Sequence, residues 1–192
     1  VERFNVDRVP AKKKADTFKL LAVGALRLQK NYPYLINAMA LIRDKDIELD
    51  IYGVGGLRDE LQAQIQTTGA KVNLKGEVNN IEQIIPQYDL FVMSSTYEGF
   101  SLGILEAMAM RIPLLISDIA SFKEQCEDNA WYFSLTDVQD AARQIVALSM
   151  TDKNILFERA EAGRQRAINN FTLAQHISGL RKIYDDVLVN NN

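Results

Sequence analysis

Four consecutive apolar residues, Leu90-Phe91-Val92-Met93, followed after a short polar gap by Gly99 and a helix-period run, constrain the fold of this chain more than any other feature. The apolar run is too short for a helix and is bounded by Asp89 and by Ser94-Ser95, which predicts a buried strand. Gly99 permits a sharp turn, and Leu102, Leu105, Met108, Ala109 and Ile112 recur at helical spacing until Pro113 ends the element. A strand that passes through a tight turn into a helix points unpaired backbone N–H groups beyond the turn. From Phe100 to Gly103 these groups suit an anion.

The pattern repeats along the chain. Further strands are expected at Phe18–Val23, Ile47–Tyr52, Lys71–Lys75, Leu114–Ser117 and Ala130–Phe133, the last at a sheet edge. Between them the spacing predicts helices at Tyr32–Ile42 and Leu57–Thr67, and a short one at Ile81–Gln87 capped by Asn80. Another helix follows Ser121, whose spacing to Glu124 is that of a capping box. From Thr136 onward only helices are expected: one marked by Val138, Ala142, Ile145 and Leu148, one over Ile155–Ile168, and one opened by Thr172 with Gln175. Strands alternating with helices imply an α/β fold, a doubly wound, Rossmann-like parallel sheet of about six strands, with extra C-terminal helices.

Two carboxylates frame the central turn. Glu98 precedes the helix and Glu106 lies one turn inside it, so the two can flank one ligand at the helix start without touching. Acidic residues near helix starts are common for dipole reasons, so an ordinary turn acid and a wet-face helix former are the plain alternatives. The whole run, Glu98-Gly99-Phe100-Ser101-Leu102 through Leu105-Glu106-Ala107-Met108-Ala109 to Pro113, resembles the signature of retaining glycosyltransferases of the group 1 family (family 4), which have the two-domain GT-B architecture. The resemblance implies that Glu98 approaches the donor sugar as the catalytic residue and that Glu106 holds the ribose hydroxyls. It also implies that the backbone of Gly99, Phe100, Ser101 and Leu102 meets the donor diphosphate.

The loop after the first strand belongs on the same rim, because ligands of open α/β sheets sit beyond the carboxyl ends of the strands. There the family has Gly-Arg and, five residues later, Lys, both cations binding the diphosphate. Gly24 and Lys30 match, whereas Ala25 occupies the arginine position and leaves Arg27 to supply the charge from two residues on. By the same resemblance Lys75, Gly76 and Val78, just after the third strand, border the nucleobase. The implied substrate is a nucleoside-diphosphate sugar of UDP or GDP type, transferred with retention. No metal and no cofactor is implied.

Other features limit the alternatives. A chain of 192 residues with 47% hydrophobic content can bury a full core, and a net charge of −3 provides no basic field for nucleic acid. Cys126 is the only cysteine, which excludes an intrachain disulfide and suits a reducing compartment. It reads as an inert core thiol. No apolar run is long enough to span a bilayer and no signal-peptide core opens the chain, so a cytoplasmic location is expected, with peripheral membrane association open to the full-length protein. Asp44-Lys45-Asp46 has the spacing of a metal-holding motif but lies before a strand, at the pole away from the ligand rim. Gly53-Val54-Gly55-Gly56 is a partial dinucleotide fingerprint in which Arg58 replaces the third glycine, and a tight turn explains it better. His176, the only histidine, sits on a helix far in sequence from the rim and reads as structural.

The first residue is Val, and residues 1–17 are polar, with Pro10 and Lys12-Lys13-Lys14, so they read as a linker following a missing N-terminal acceptor domain. Residues 18–192 then form the nucleotide-sugar-binding domain, whose final helix, through Tyr184 and Leu188, crosses back toward the absent half. The expected function is the donor half of a glycosyltransferase in bacterial surface polysaccharide synthesis, inactive in isolation, with a saccharide or lipid-linked acceptor held by the missing domain. The alternatives are a nucleotide-sugar-binding module without transferase activity and an NAD-dependent oxidoreductase built around Gly53 to Gly56.

Overall fold

The computed structural model describes Phe4, residues 17–175 and 177–179, Arg181 and Tyr184. The linker expected over residues 1–17 therefore falls almost wholly outside the described residues, as do His176 and Leu188.

Six parallel strands form one sheet in the order β3-β2-β1-β4-β5-β6. They are β1 (Phe18–Val23), β2 (Ile47–Tyr52), β3 (Val72–Gly76), β4 (Leu90–Met93), β5 (Leu114–Ser117) and β6 (Trp131–Phe133). The helices are α1 (Tyr32–Leu41), α2 (Arg58–Thr68), α3 (Ile81–Ile84), α4 (Leu102–Ala109), α5 (Ala120–Cys126), α6 (Val138–Ser149) and α7 (Lys153–Asn170). This is the doubly wound α/β sheet expected, with β6 at one edge. The chain builds outward from β1 to β3, then returns to the other side of β1 with β4, so the strand order reverses between β1 and β4. A crevice opens at such a reversal because the helices that follow the two strands, α1 and α4, pack on opposite faces of the sheet.

Both faces of the sheet are covered, which is why the central strands are apolar on both sides. Leu20, Ala22, Leu49, Ile51, Leu90, Val92 and Leu115 pack with α1, α2 and α6 on one face. Leu21, Phe91, Met93, Leu114 and Ile116 pack with α4 and α5 on the other. Strand β2 buries alternate residues only, and its other side carries Asp50 and Tyr52.

Four local expectations are corrected. Helix α4 stops at Ala109, short of Pro113, because Arg111 adopts a left-handed backbone with φ 55°. Its core face is Ile104, Ala107 and Met108, while Leu102 is 68% exposed, so the helix is rotated relative to the periodicity drawn from Leu102 and Leu105. Helix α5 starts at Ala120 after an Ile119 N-cap, which leaves Ser121 inside the helix and removes the capping box assigned to it. The cap expected from Asn80 is likewise absent: its side chain donates to Gln83 Oε1 at 3.0 Å and makes no backbone cap. The capping box at Thr172 does form, with the Gln175 N–H reaching Thr172 Oγ1 at 3.3 Å and Gln175 Oε1 accepting from Thr172 N at 2.9 Å.

Candidate functional site

The loops leaving β1 and β4 meet at the point where the strand order reverses. After β1 the chain turns through Gly24, makes a short 3-10 turn at Leu28–Lys30, and enters α1 from Asn31, which is left-handed at φ 50°. The β4 loop is laced to it. Ser94 Oγ donates to the carbonyls of Lys30 and Asn31 at 2.8 and 3.0 Å, Thr96 N–H donates to Gln29 O at 2.9 Å, and Gln29 Nε2 donates to Tyr97 O at 2.9 Å. At the mouth of this seam Lys30 Nζ lies 2.6 Å from Glu98 Oε1, with the two side chains 18% and 11% exposed. The same carboxylate oxygen accepts from Ser95 Oγ at 3.0 Å.

Gly24 makes room for that ion pair. A Cβ there would come within 3.0 Å of Lys30 Cε and 3.1 Å of the Tyr32 hydroxyl. Tyr32 OH in turn donates to Gly24 O at 3.1 Å. Burial, and then the nearby negative charge of Glu98, push the Tyr32 phenol well above its ordinary pKa, so it remains a neutral donor.

Beyond Glu98 the chain reaches the start of α4. Ser101 is the N-cap, its Oγ accepting from Ile104 N–H at 3.3 Å, and Leu105 N–H closes the first i→i−4 bond on Ser101 O at 3.1 Å. The N–H groups of Leu102 and Gly103 therefore have no acceptor within the helix and head its positive end. One expected donor is corrected: Ser101 N–H is buried and bonded to Gln125 Oε1 at 3.0 Å, so it faces the protein interior and not a phosphate. Gly99 has no positive φ, and a Cβ there would meet nothing within 4 Å, so this turn does not draw on glycine's backbone freedom.

The remaining candidates lie at varying distances along the rim. Arg27 is exposed on the β1 loop beside Lys30. Glu106 is half-buried on the outer side of α4, lining a cleft of about 680 Å³ with Phe100, Leu102, Leu105 and Phe171, among others. Lys30 and Glu98 are not among the residues that line that cleft. Lys75 is drawn down to the sheet face, 3.6 Å from Asp50 Oδ2, which also accepts from Tyr88 OH at 2.7 Å. Gly76 is left-handed at φ 78°, and its carbonyl accepts from Gly53 N–H at 2.8 Å. Val78 packs against the α4 side of the core.

The glycine-rich turn after β2 has a structural explanation. A Cβ on Gly53 would sit 2.0 Å from Gly24 O, and one on Gly55 would sit 2.5 Å from Leu26 O. The two loops also exchange backbone bonds, Gly24 N–H to Tyr52 O at 2.9 Å and Leu26 N–H to Val54 O at 3.0 Å. The neighbouring loop alone therefore requires these glycines. Asp44 and Asp46 lie at the amino pole of the sheet, where Asp44 meets Lys45 and Asp46 accepts from Thr17. Among the described residues no group of three or more His, Cys, Asp or Glu is arranged to hold a metal, and no helix is long and apolar enough to cross a membrane.

Several supporting residues carry no signal in the sequence. Among the described residues the buried polar side chains are Ser94, Ser95, Ser101, Ser117 and Gln125, and all of them gather beneath this site. Ser117 Oγ donates to Ser95 O at 2.7 Å, so β5 supports the β4 loop from below. Serines that follow apolar runs look like ordinary strand ends, and only the topology reveals what they hold.

Residues 17–150 match the family model described as Glycosyl transferases group 1. The chain belongs to this family. Among curated relatives, it is 29% identical over 191 residues to the Escherichia coli UDP-Gal:alpha-D-GlcNAc-diphosphoundecaprenol alpha-1,3-galactosyltransferase, covering 92% of this chain and 48% of that protein. It is 36% identical over 101 residues to the Campylobacter jejuni N-acetylgalactosamine-N,N'-diacetylbacillosaminyl-diphospho-undecaprenol 4-alpha-N-acetylgalactosaminyltransferase, covering 52% of this chain and 27% of that protein. The chain thus spans at most about half the length of these relatives. Among solved structures, a glycosyltransferase from Rickettsia africae superposes with a TM-score of 0.82 at 19% identity, over 91% of this chain and 49% of that one. HepE of Anabaena, in complex with UDP and glucose, superposes with a TM-score of 0.80 at 23% identity, over 89% and 49%. The group 1 fold here is the Rossmann-like half of a GT-B architecture, and family membership displaces the oxidoreductase reading of Gly53 to Gly56.

Proposed function

We propose that the chain is the donor-binding half of a retaining GT-B glycosyltransferase, holding a nucleoside-diphosphate sugar at the loops that follow β1 and β4 while a preceding domain presents the acceptor. The observation that carries this reading is the Lys30–Glu98 pair at 2.6 Å, set beside the N–H groups that head α4. It joins a phosphate-binding cation, a carboxylate and a helix start at the one crevice the topology creates.

In this reading the diphosphate lies across the N–H groups of Leu102 and Gly103, with Lys30 and the exposed Arg27 supplying positive charge. When the bond between the sugar and the diphosphate breaks, negative charge grows on the departing oxygen, and these groups act by gripping it more tightly than the ground state. Glu98 orients the sugar once Lys30 turns toward phosphate. Glu106 receives the ribose hydroxyls, for which the two oxygens of a carboxylate are suited. Gly76 and Val78 border the base. Lys75 fits that role less directly, since its ammonium is drawn to Asp50.

The likeness to the E. coli enzyme, whose name gives a UDP-Gal donor, supports a UDP-linked donor, and the diphosphoundecaprenol acceptors named for the E. coli and C. jejuni enzymes support a saccharide acceptor carried on a lipid diphosphate, in keeping with a role in bacterial surface polysaccharide synthesis. Ala25, standing where the family has arginine, favours a second reading, a module that binds the donor without transferring it.

Calorimetric titration with UDP, GDP, ADP and NAD, with and without magnesium, tests the donor site. Magnesium-independent binding of one nucleoside diphosphate is expected. Lys30→Ala should weaken it by about 10- to 100-fold, the value of a charge-assisted contact, while leaving nucleoside binding unchanged. Equal losses for both ligands, or binding of NAD alone, would overturn the assignment.

A further inference from the structure

We infer that Gln125 is a positioning residue for the phosphate-facing turn: it clamps Ser101 so that the N–H groups of Leu102 and Gly103 stay aimed out of α4. This rests on the donor-binding reading above.

Gln125 is on α5, is 3% exposed, and turns both ends of its amide onto one residue. Its Oε1 accepts from Ser101 N–H at 3.0 Å, and its Nε2 donates to Ser101 O at 2.9 Å. An amide is the side chain that can do this, because it offers a donor and an acceptor on adjacent atoms with no charge to desolvate. Ser101 O is also the acceptor that closes the first helical bond, from Leu105 N–H. The clamp therefore fixes the peptide planes on both sides of the N-cap, and the Leu102 N–H belongs to the second of them.

The clamp is itself anchored. Arg166 of α7 donates through Nε to Gln125 O and through Nη2 to Glu124 O, each at 2.8 Å, and pairs with Glu127 at 2.9 Å. Phe171, at the end of α7, packs edge-on against Phe100 with ring centroids 5.2 Å apart. Helix α7 thus holds the central turn by two routes, one polar through Gln125 and one aromatic through Phe100.

Without the amide, Ser101 N–H would be buried and unpaired, and the turn would swing to find it a partner. Leu102 and Gly103 would then lose their aim at the phosphates while the base and ribose contacts kept theirs. A group that served only general packing would instead affect all ligands alike.

The test titrates the whole protein and its Gln125→Met and Gln125→Glu variants with UDP, uridine and inorganic pyrophosphate. Gln125→Met keeps the volume and removes both bonds, so UDP and pyrophosphate should weaken by about tenfold and uridine by less than about twofold. Gln125→Glu carries a protonated carboxyl at low pH that again offers a donor and an acceptor, and burial favours this neutral form. Its UDP affinity, relative to wild type at each pH, should recover as pH falls from about 8 to about 5. Proportional losses of UDP and uridine, unchanged UDP binding, or no recovery at low pH would overturn the clamp. A wild-type protein that binds none of the three would overturn the donor reading, and the clamp with it.

Discussion

Replacing Glu98 by Gln should tighten nucleoside-diphosphate binding while abolishing any sugar transfer. Glu98 Oε1 and Lys30 Nζ, 2.6 Å apart and largely shielded from solvent, satisfy one another. A diphosphate arriving at the α4 start meets a pair that is neutral overall. In the Glu98→Gln variant the amide oxygen still accepts from Ser95, but Lys30 presents its full charge. The change is one unit of charge. For like charges about 6 Å apart, an effective dielectric constant between about 20 and 80 gives roughly 0.7–2.8 kcal/mol, or about 3- to 100-fold in affinity. The partial exposure of both side chains favours the lower half of that range. Calorimetry with UDP on wild type and variant reads the effect directly, and repeating it at high salt should shrink the gain. Weaker UDP binding in Glu98→Gln would refute the reasoning, because it would mean that the carboxylate holds the nucleotide instead of competing with it for Lys30.

Glu106→Gln should weaken UDP by about 1.5–3 kcal/mol, the value of hydrogen bonds to a charged group, and leave pyrophosphate binding unchanged; equal UDP affinity by titration would remove Glu106 from the site. Gly53→Ala forces a Cβ to within 2.0 Å of a backbone carbonyl at φ 149°, whereas Gly56→Ala meets nothing within 4 Å. Urea denaturation should therefore show a loss of about 3 kcal/mol or more for Gly53→Ala and a near-neutral Gly56→Ala; a reversed order would sink the loop-packing account. Burial pushes the Cys126 thiol from its ordinary 9.0 up to about 12. A raised thiol pKa means that the folded state holds its proton longer than the unfolded chain. Its contribution is thus full below about pH 9 and is lost as pH rises toward 12, and Cys126→Ala should flatten that alkaline fall in denaturation midpoints.

Much of this site is legible in the sequence. The β1 and β4 runs are apolar on both sides, a pattern only a doubly covered sheet explains, and the residues after them have to share a rim. Lys30 and Glu98, 68 positions apart, are each expected there and are found in contact. What stays hidden depends on geometry that periodicity does not encode. The end of α4 is decided by one left-handed residue, Arg111, before the proline that looks like the stop. The exposed Leu102 and half-buried Leu105 share the apolar spacing of the buried set, so hydrophobicity alone misassigns the face. Gln125 resembles any polar residue of a surface helix until the fold carries it beneath Ser101, 24 positions away. For the same reason Ser101 N–H reads from the sequence as a phosphate donor, since a partner that far away cannot be inferred from spacing.

The backbone bonds among the turns after β1, β2 and β3 carry a consequence for how such a protein can diversify. Surface loops usually accept insertions freely, and new specificities arise by lengthening them. Here Gly24 bonds to Tyr52, Leu26 to Val54 and Gly53 to Gly76, so an added residue in any one turn would unzip it from the next. Variation on this side of the sheet is confined to exchanging side chains on a backbone of fixed length, and a library built by substitution at Arg27, Leu28 and Val54 would survive where one built by insertion would not.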